Sequence, residues 1–494
     1  MSRPIQLTSW NAELKRHFPH LPDCTVFVLA LYSMGMILAK VSGLSTVALF
    51  LGESLLWSYD ALRKRLCEFY KEAPAKSGAK HGIKRQDFDV RTCFAPLLRW
   101  ILSLWSGKHL ALAIDVTNLG DRFHVLCVSV VVCGNAIPVA WKVLRGGVKD
   151  PWNPYWQTLL QHLKKAIPDD WTIIVLSDRG LESAWLFKVI VNLGWHPLMR
   201  VKKGGKFKPK GWRRFYGLSE LVKSVGDSFY AEGRAYAGED MACTLLARYA
   251  EGYDEPWFIL TDLPPETADA VWYAMRAWIE QGFKIIKGGG LDWEKTRMED
   301  PARVERLWLV MAVATLWVVA VGADEEVRQQ AQEEAKEAAR KLDETLEEAR
   351  KRKEQEEFRQ QKQKEALQQR RQREENRKRM QEEEREKARS KTKARKSKQE
   401  SAAKAGDPGK SKQESAAKAG GPGKKTPGAR NRAKKQEGSK TRTHRVSKRG
   451  LAVLSALWQK GQNALPQHLH PEPWPVSSHS VSTLTEEEFL SQQT

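Results

Sequence analysis

Three acidic residues stand where a carboxylate needs a reason. Asp115 closes the apolar run Ala-Leu-Ala-Ile before Val-Thr, and Asp178 closes Ile-Ile-Val-Leu-Ser before Arg-Gly. If the two runs are neighbouring strands of one sheet, both carboxylates project to the same rim and could share a divalent cation. An Asp at a strand end is more often a turn or cap residue, so neither position decides the matter by itself. The third, Glu280, lies in Tyr273-Ala-Met-Arg276-Ala-Trp-Ile-Glu280, which runs on through Lys284 to Lys287. The spacing predicts one long helix over 266–287, with Tyr273, Arg276, Glu280, Lys284 and Lys287 along one broad face. That face reads either as a functional surface carrying the third carboxylate or as a charged solvent face with an ion pair at four-residue spacing.

The elements around these groups predict an α/β fold. Strands are expected at 111–115, 125–132 and 137–143, with Gly134-Asn135 as the turn between the last two. A helix at 154–166, a buried strand at 172–176, a helix at 181–192 and a strand at 196–201 follow. Alternation after a hairpin predicts a mixed sheet. The first part of this domain is placed at 106–201. A β-rich insertion is placed at 202–264, with strands near 228–236, 242–249 and 257–260. The domain's second part is 265–323, ending in an apolar helix near Ala323. Before it, 1–105 reads as a helical N-terminal module with helices capped near Ser42, Ser45 and Ser54, assigned to DNA binding, and 76–85 reads as a linker.

Beyond Ala323, residues 324–387 predict a charged single helix, with Glu337 and Lys341, Glu347 and Lys351, and Glu375 and Arg379 paired along its surface. Its apolar residues make no sustained heptads. Residues 388–450 are a basic, low-complexity segment in which 397–410 repeats almost exactly as 411–424, expected to be disordered. A tail, 451–494, contains His470-Pro471-Glu472-Pro473-Trp474-Pro475.

The net charge of +22 over 494 residues points to a polyanionic partner. Most of the excess is local, since 388–450 holds 21 Lys and Arg against 4 Asp and Glu. A second basic cluster, Arg200, Lys202, Lys203, Lys206, Lys208 and Lys210 with Trp212 and Phe215 behind it, reads as a DNA-backbone track or as an exposed solubility loop. The six cysteines show no metal-binding spacing and read as core residues of a cytoplasmic protein. Residues 1–18 lack the apolar centre of a signal peptide. The apolar stretch 307–323 reaches the lower edge of membrane-span length, but its composition predicts a buried core helix and no membrane association.

The signature Tyr, two residues, Arg, three residues, Glu, six residues, Lys resembles that of bacterial insertion-sequence transposases of the DDE type that carry a β-insertion before their glutamate. Ala-Ile-Asp-Val-Thr and Leu-Ser-Asp-Arg-Gly resemble the same family's two aspartate regions, and the likeness covers roughly 111–323. It implies an RNase H-like fold in which Asp115, Asp178 and Glu280 hold two Mg²⁺ ions, replaceable by Mn²⁺. Water then attacks the phosphodiester first, and the freed 3′-hydroxyl later attacks target DNA. It implies phosphate contacts from Tyr273, Arg276 and Lys287, with Lys284, Arg200 and Lys203 as further DNA-binding candidates. Relatives that cut through a DNA hairpin stack a Trp on a flipped base directly after the signature Arg. Here Ala277 stands there, leaving Trp278, Trp257 or Trp272 for stacking. The implied partners are double-stranded DNA, both transposon ends and target, and a second copy of the chain in a nucleoid-associated synaptic dimer. Two rival readings remain from the sequence: a nuclease of the same fold without strand transfer, and a non-catalytic DNA-binding protein.

Overall fold

The computed structural model describes residues 4–82, 86–147, 151–395, 437–475 and 479–492. The repeats at 397–424 lie outside the described residues, as does 83–85 of the expected linker. By contacts the chain forms two units, Met1–Gln329 with Lys435–Thr494, and Gln330–Lys434.

The first unit is built on a ten-stranded sheet. Its strands are β1 (His109–Leu119), β2 (Phe123–Val132), β3 (Asn135–Arg145), β4 (Thr172–Ser177), β5 (His196–Arg200), β6 (Lys206–Pro209), β7 (Tyr216–Gly217), β8 (Ser228–Ala235), β9 (Met241–Arg248) and β10 (Trp257–Thr261). They lie in the order β3-β2-β1-β4-β5-β10-β9-β8-β6-β7. β1, β4 and β5 are parallel, and β2 runs antiparallel between β1 and β3. The five-strand half, 3-2-1-4-5 with only the second strand reversed, is an RNase H-like sheet. β2 is buried along nearly its whole length, as a β-branched run inside a covered sheet should be.

The expected insertion strands form, but they are not a separate sheet. β10 pairs antiparallel with β5, so β6 to β10 extend the same sheet at that edge. At the opposite edge, the β2 to β3 turn is Cys133-Gly134, both with positive φ, one residue earlier than expected. Asn135 already pairs with Val132, which leaves the two central residues of a two-residue hairpin turn in the left-handed region. Pro138 is tolerated because β3 is an edge strand and the ladder slips beside it, between Val128 and Ser129.

Five helices precede the sheet: α1 (Ile5–His17), α2 (Asp23–Ala39), α3 (Leu44–Leu55), α4 (Tyr59–Tyr70) and α5 (Phe94–Ser103). The expected serine caps are not used. α3 begins after Gly43 and α4 after Ser58, whose hydroxyl accepts from the Ala61 N–H, whereas Ser42 is buried and donates its backbone N–H to Leu291. These helices share one apolar core with the sheet. Trp10 of α1, for example, stacks on Trp317 with ring centroids 3.8 Å apart.

α6 (Asn153–Lys164) and α7 (Ala184–Asn192) follow their strands as expected, α7 starting three residues late because the Ser183 hydroxyl caps it. A short α8 (Leu218–Leu221) lies within the insertion. The single helix predicted over 266–287 is instead three windings: a 3-10 segment Ala270–Ala277, α9 (Trp278–Lys284) and a π turn Ile285–Gly289. Asp269 starts the first by accepting from the Val271 N–H. Gly282 lets α9 approach β3 so closely that a Cβ there would lie 2.6 Å from the Ala136 carbonyl oxygen.

No break occurs at Ala323: α10 runs unbroken over Pro301–Arg395. Residues 307–323 form its buried part, which confirms the core-helix reading of a stretch that has the length and composition to cross a membrane. The glycine at 322 does not stop the helix because α11 (Glu437–Gln459) crosses there. A Cβ on Gly322 would meet the Val446 carbonyl at 2.1 Å, and one on Gly450 the Val318 carbonyl at 2.0 Å. α12 (Glu486–Ser491) closes the chain with a Thr485-Glu488 capping box.

In the second unit, 330–388 are exposed along the helix. Glu337 meets Lys341 at 2.9 Å and Glu347 meets Lys351 at 2.8 Å, while the third pair is Glu374 with Lys378, one residue before the expected Glu375 and Arg379.

Candidate active site

The parallel ladder between β1 and β4 ends at Ile114 opposite Ser177, so Asp115 and Asp178 are the next residues of adjacent strands. Asp115 does not end its strand. β1 continues to Leu119 against β2, and Asp115 marks where it loses β4. Each aspartate has one oxygen fixed locally: Asp115 Oδ1 accepts from the Val116 N–H at 2.8 Å and Asp178 Oδ1 from the Gly180 N–H at 3.2 Å.

The other oxygens meet Arg276. Its Nη2 donates to Asp115 Oδ2 at 2.8 Å and Asp178 Oδ2 at 3.0 Å, and its Nη1 to Glu280 Oε1 at 2.6 Å. Three carboxylates from two strands and a helix thus converge on one guanidinium. The i,i+4 pair expected on the helix forms, but its arginine also reaches across to both strands. Burial pushes the Asp115 carboxyl above its usual range, and the Arg276 charge only partly offsets this. Burial opposes the Arg276 charge, and the carboxylates outweigh it, holding the guanidinium more firmly protonated than usual. Its Nε is buried without a hydrogen-bond partner among the described residues.

This donor set fits a divalent ion of the Mg²⁺ or Mn²⁺ type: hard oxygen ligands, all turned toward one cation, for which the guanidinium stands in. With the guanidinium between them, no three acidic, His or Cys side chains among the described residues are close enough to hold one ion directly.

The remaining expected residues are distributed unevenly. Tyr273 is buried, its ring 5.6 Å from Trp257, with the Arg200 guanidinium 6.0 Å from its centroid; burial pushes its phenol up. Lys284 is exposed beyond Glu280, and Lys287 is half-buried in the π turn. Arg200 pairs with Glu255 at 2.6 Å, and exposed Lys203 lines the same shallow hollow. Trp278 is half-buried. Trp272 donates to the Pro475 carbonyl at 2.8 Å and packs on Trp474, so the Pro-rich tail braces the signature segment. Part of the basic run is strand rather than loop: Lys208 lies in β6, with its ammonium over the Phe215 ring, and Lys210 pairs with Glu232 at 2.7 Å.

Two residues escaped the sequence reading. Arg179, directly after Asp178, pairs with Glu255 at 2.9 Å, so one glutamate of the insertion holds two guanidiniums beside the carboxylates. The position of Arg179 in Ser-Asp-Arg-Gly was the available signal.

Residues 120–317 match the model of the transposase DDE domain family. The chain therefore carries a DDE-type transposase domain. Asp178 and Glu280 fall inside the match, and Asp115 lies five residues before it. No curated protein matches the chain. Among solved structures it is similar to a piggyBac transposase synaptic complex with hairpin DNA, at 12% identity and a TM-score of 0.32, covering 63% of this chain and 72% of that one. It is also similar to human ENDOV, at 14% identity and a TM-score of 0.21, covering 46% of this chain and 87% of that one.

Proposed function

We propose that the chain is a cut-and-paste DNA transposase that binds the terminal inverted repeats of its element, cleaves there and joins the freed ends to target DNA. The observation that carries this reading is the convergence of Asp115, Asp178 and Glu280 on a single cationic group within a transposase DDE domain. Asp115, Asp178 and Glu280 are the residues that hold Mg²⁺, or Mn²⁺ in its place. When bound, such ions activate the attacking oxygen and stabilise the leaving one. The β1–β4 ladder fixes the direction of the two aspartates, and α9 brings Glu280 to them over β3.

The DNA runs along the open side of this cluster. Arg276, Lys284 and Lys287 on the signature segment, with Arg200 and Lys203 at the insertion, grip backbone phosphates, while the Tyr273 hydroxyl supplies a neutral donor. Trp257, already against Tyr273, is the aromatic placed to stack on an extruded base, with Trp278 beside the signature. The working form is a dimer that holds two ends of the element together in the cytoplasm, at the nucleoid.

The test is incubation with linear DNA carrying the inverted repeats that flank the gene, in Mg²⁺. The reading predicts cut ends and joined products, both lost in Asp115→Asn, Asp178→Asn and Glu280→Gln proteins that still bind DNA. Cleavage without joining would mark a nuclease, and binding without cleavage a non-catalytic protein.

A further inference from the structure

The phosphate role assigned to Arg276 and its observed position cannot be served at the same moment. The guanidinium is nearly buried among Asp115, Asp178 and Glu280, with side-chain exposure of 11%. A phosphate on a DNA strand would have to draw it outward. The oxygens it occupies are also those that matter for an ion. Asp115 Oδ1 and Asp178 Oδ1 each accept a backbone N–H, and the oxygens turned toward the cluster, Asp115 Oδ2 and Asp178 Oδ2, both accept from Arg276 Nη2.

We propose that Arg276 is a gate that couples metal binding to DNA binding: its guanidinium holds the three carboxylates until a DNA phosphate attracts it, and its departure frees them for divalent ions. This rests on the proposed function above.

Three observations support the gate. The guanidinium spends two nitrogens on three carboxylates while its Nε is buried and unpaired, so this position satisfies the fork only in part. Charge favours the exchange, because three carboxylates without a cation repel one another, whereas a guanidinium beside two divalent ions is itself repelled and is better placed on a phosphate. Finally, Arg276 sits in the last turn of a 3-10 segment that gives way to α9 at Trp278. A 3-10 stretch within a helical run often marks a hinge. Linkage makes the coupling reciprocal: whatever factor DNA adds to metal affinity, metal adds to DNA affinity.

The experiment measures Mn²⁺ binding to the full chain by calorimetry or electron paramagnetic resonance, first without DNA. Arg276→Gln should bind Mn²⁺ about tenfold more tightly than wild type, a coupling of ordinary size. Arg276→Lys, which keeps the charge but cannot fork, should tighten it by less; if Arg276→Gln does not fold, the Lys variant alone decides. Adding duplex DNA that carries the flanking repeats should tighten Mn²⁺ binding to wild type and leave Arg276→Gln unchanged. Unchanged or weaker Mn²⁺ binding in both Arg276 variants, with binding lost in Glu280→Gln, would overturn the gate and leave the metal-site reading intact. Undiminished Mn²⁺ binding in Glu280→Gln would instead overturn that underlying reading.

Discussion

Two regions deliver the carboxylates in different ways. Asp115 and Asp178 are set by a parallel ladder whose flanking residues, Leu112, Ile114, Val175 and Leu176, are fully buried. Glu280 comes from a segment of twenty residues that changes winding twice, and its side chain is half exposed at 52% against 20% for Asp115. The strand pair is rigid by construction. The helical segment depends on a few particular contacts: the Asp269 cap, the approach of Gly282 to Ala136, and the brace of Trp272 by the tail. Chemistry that needs both a fixed platform and a group able to close on it is served by this division.

The contrast can be broken from either side. Replacing any of the three carboxylates by its amide should lower DNA cleavage about a thousandfold or more, measured in single turnover, because each would supply a charge to the proposed divalent ions. Leu112→Ala, on the platform, should cost about 2–5 kcal/mol in denaturant unfolding while the protein that remains folded cleaves normally. Gly282→Ala should show the opposite balance. Its Cβ must displace the Ala136 backbone at a cost of about 1–3 kcal/mol, and because α9 shifts with it, cleavage should fall further than stability alone explains. The smallest effect belongs to the second unit: Glu337→Gln removes one exposed pair with Lys341 and should change helix stability by only about 0.3–0.5 kcal/mol, vanishing in high salt.

The platform was the more legible region. Apolar runs ending in Asp, the β-branched run of β2 and the spacing of helices and strands follow from side-chain chemistry that acts within a few residues, and the elements fell within a few positions of expectation. The 266–287 segment was not legible in detail, because its windings are imposed by partners distant in sequence, such as the backbone of Ala136 under Gly282. The same holds for Arg276. Helical spacing identified its pair with Glu280, but the contact with Asp115 spans 161 positions and no local rule predicts it. The apolar helix was expected to end near Ala323, but α10 continues past it, and α11 crosses α10 beside Gly322. The Pro-rich tail likewise revealed its purpose only where Pro475 met Trp272, 203 positions away.

The central claim is that three distant segments form one cation site. Replacing the divalent ion with Fe²⁺ and adding peroxide and ascorbate generates radicals that cut the chain where the ion sits. The account predicts cuts close to residues 115, 178 and 276–280 together, all lost in Glu280→Gln. Cuts confined to another group, such as Asp324 with His468 and His470, or a pattern unchanged in Glu280→Gln, would contradict it.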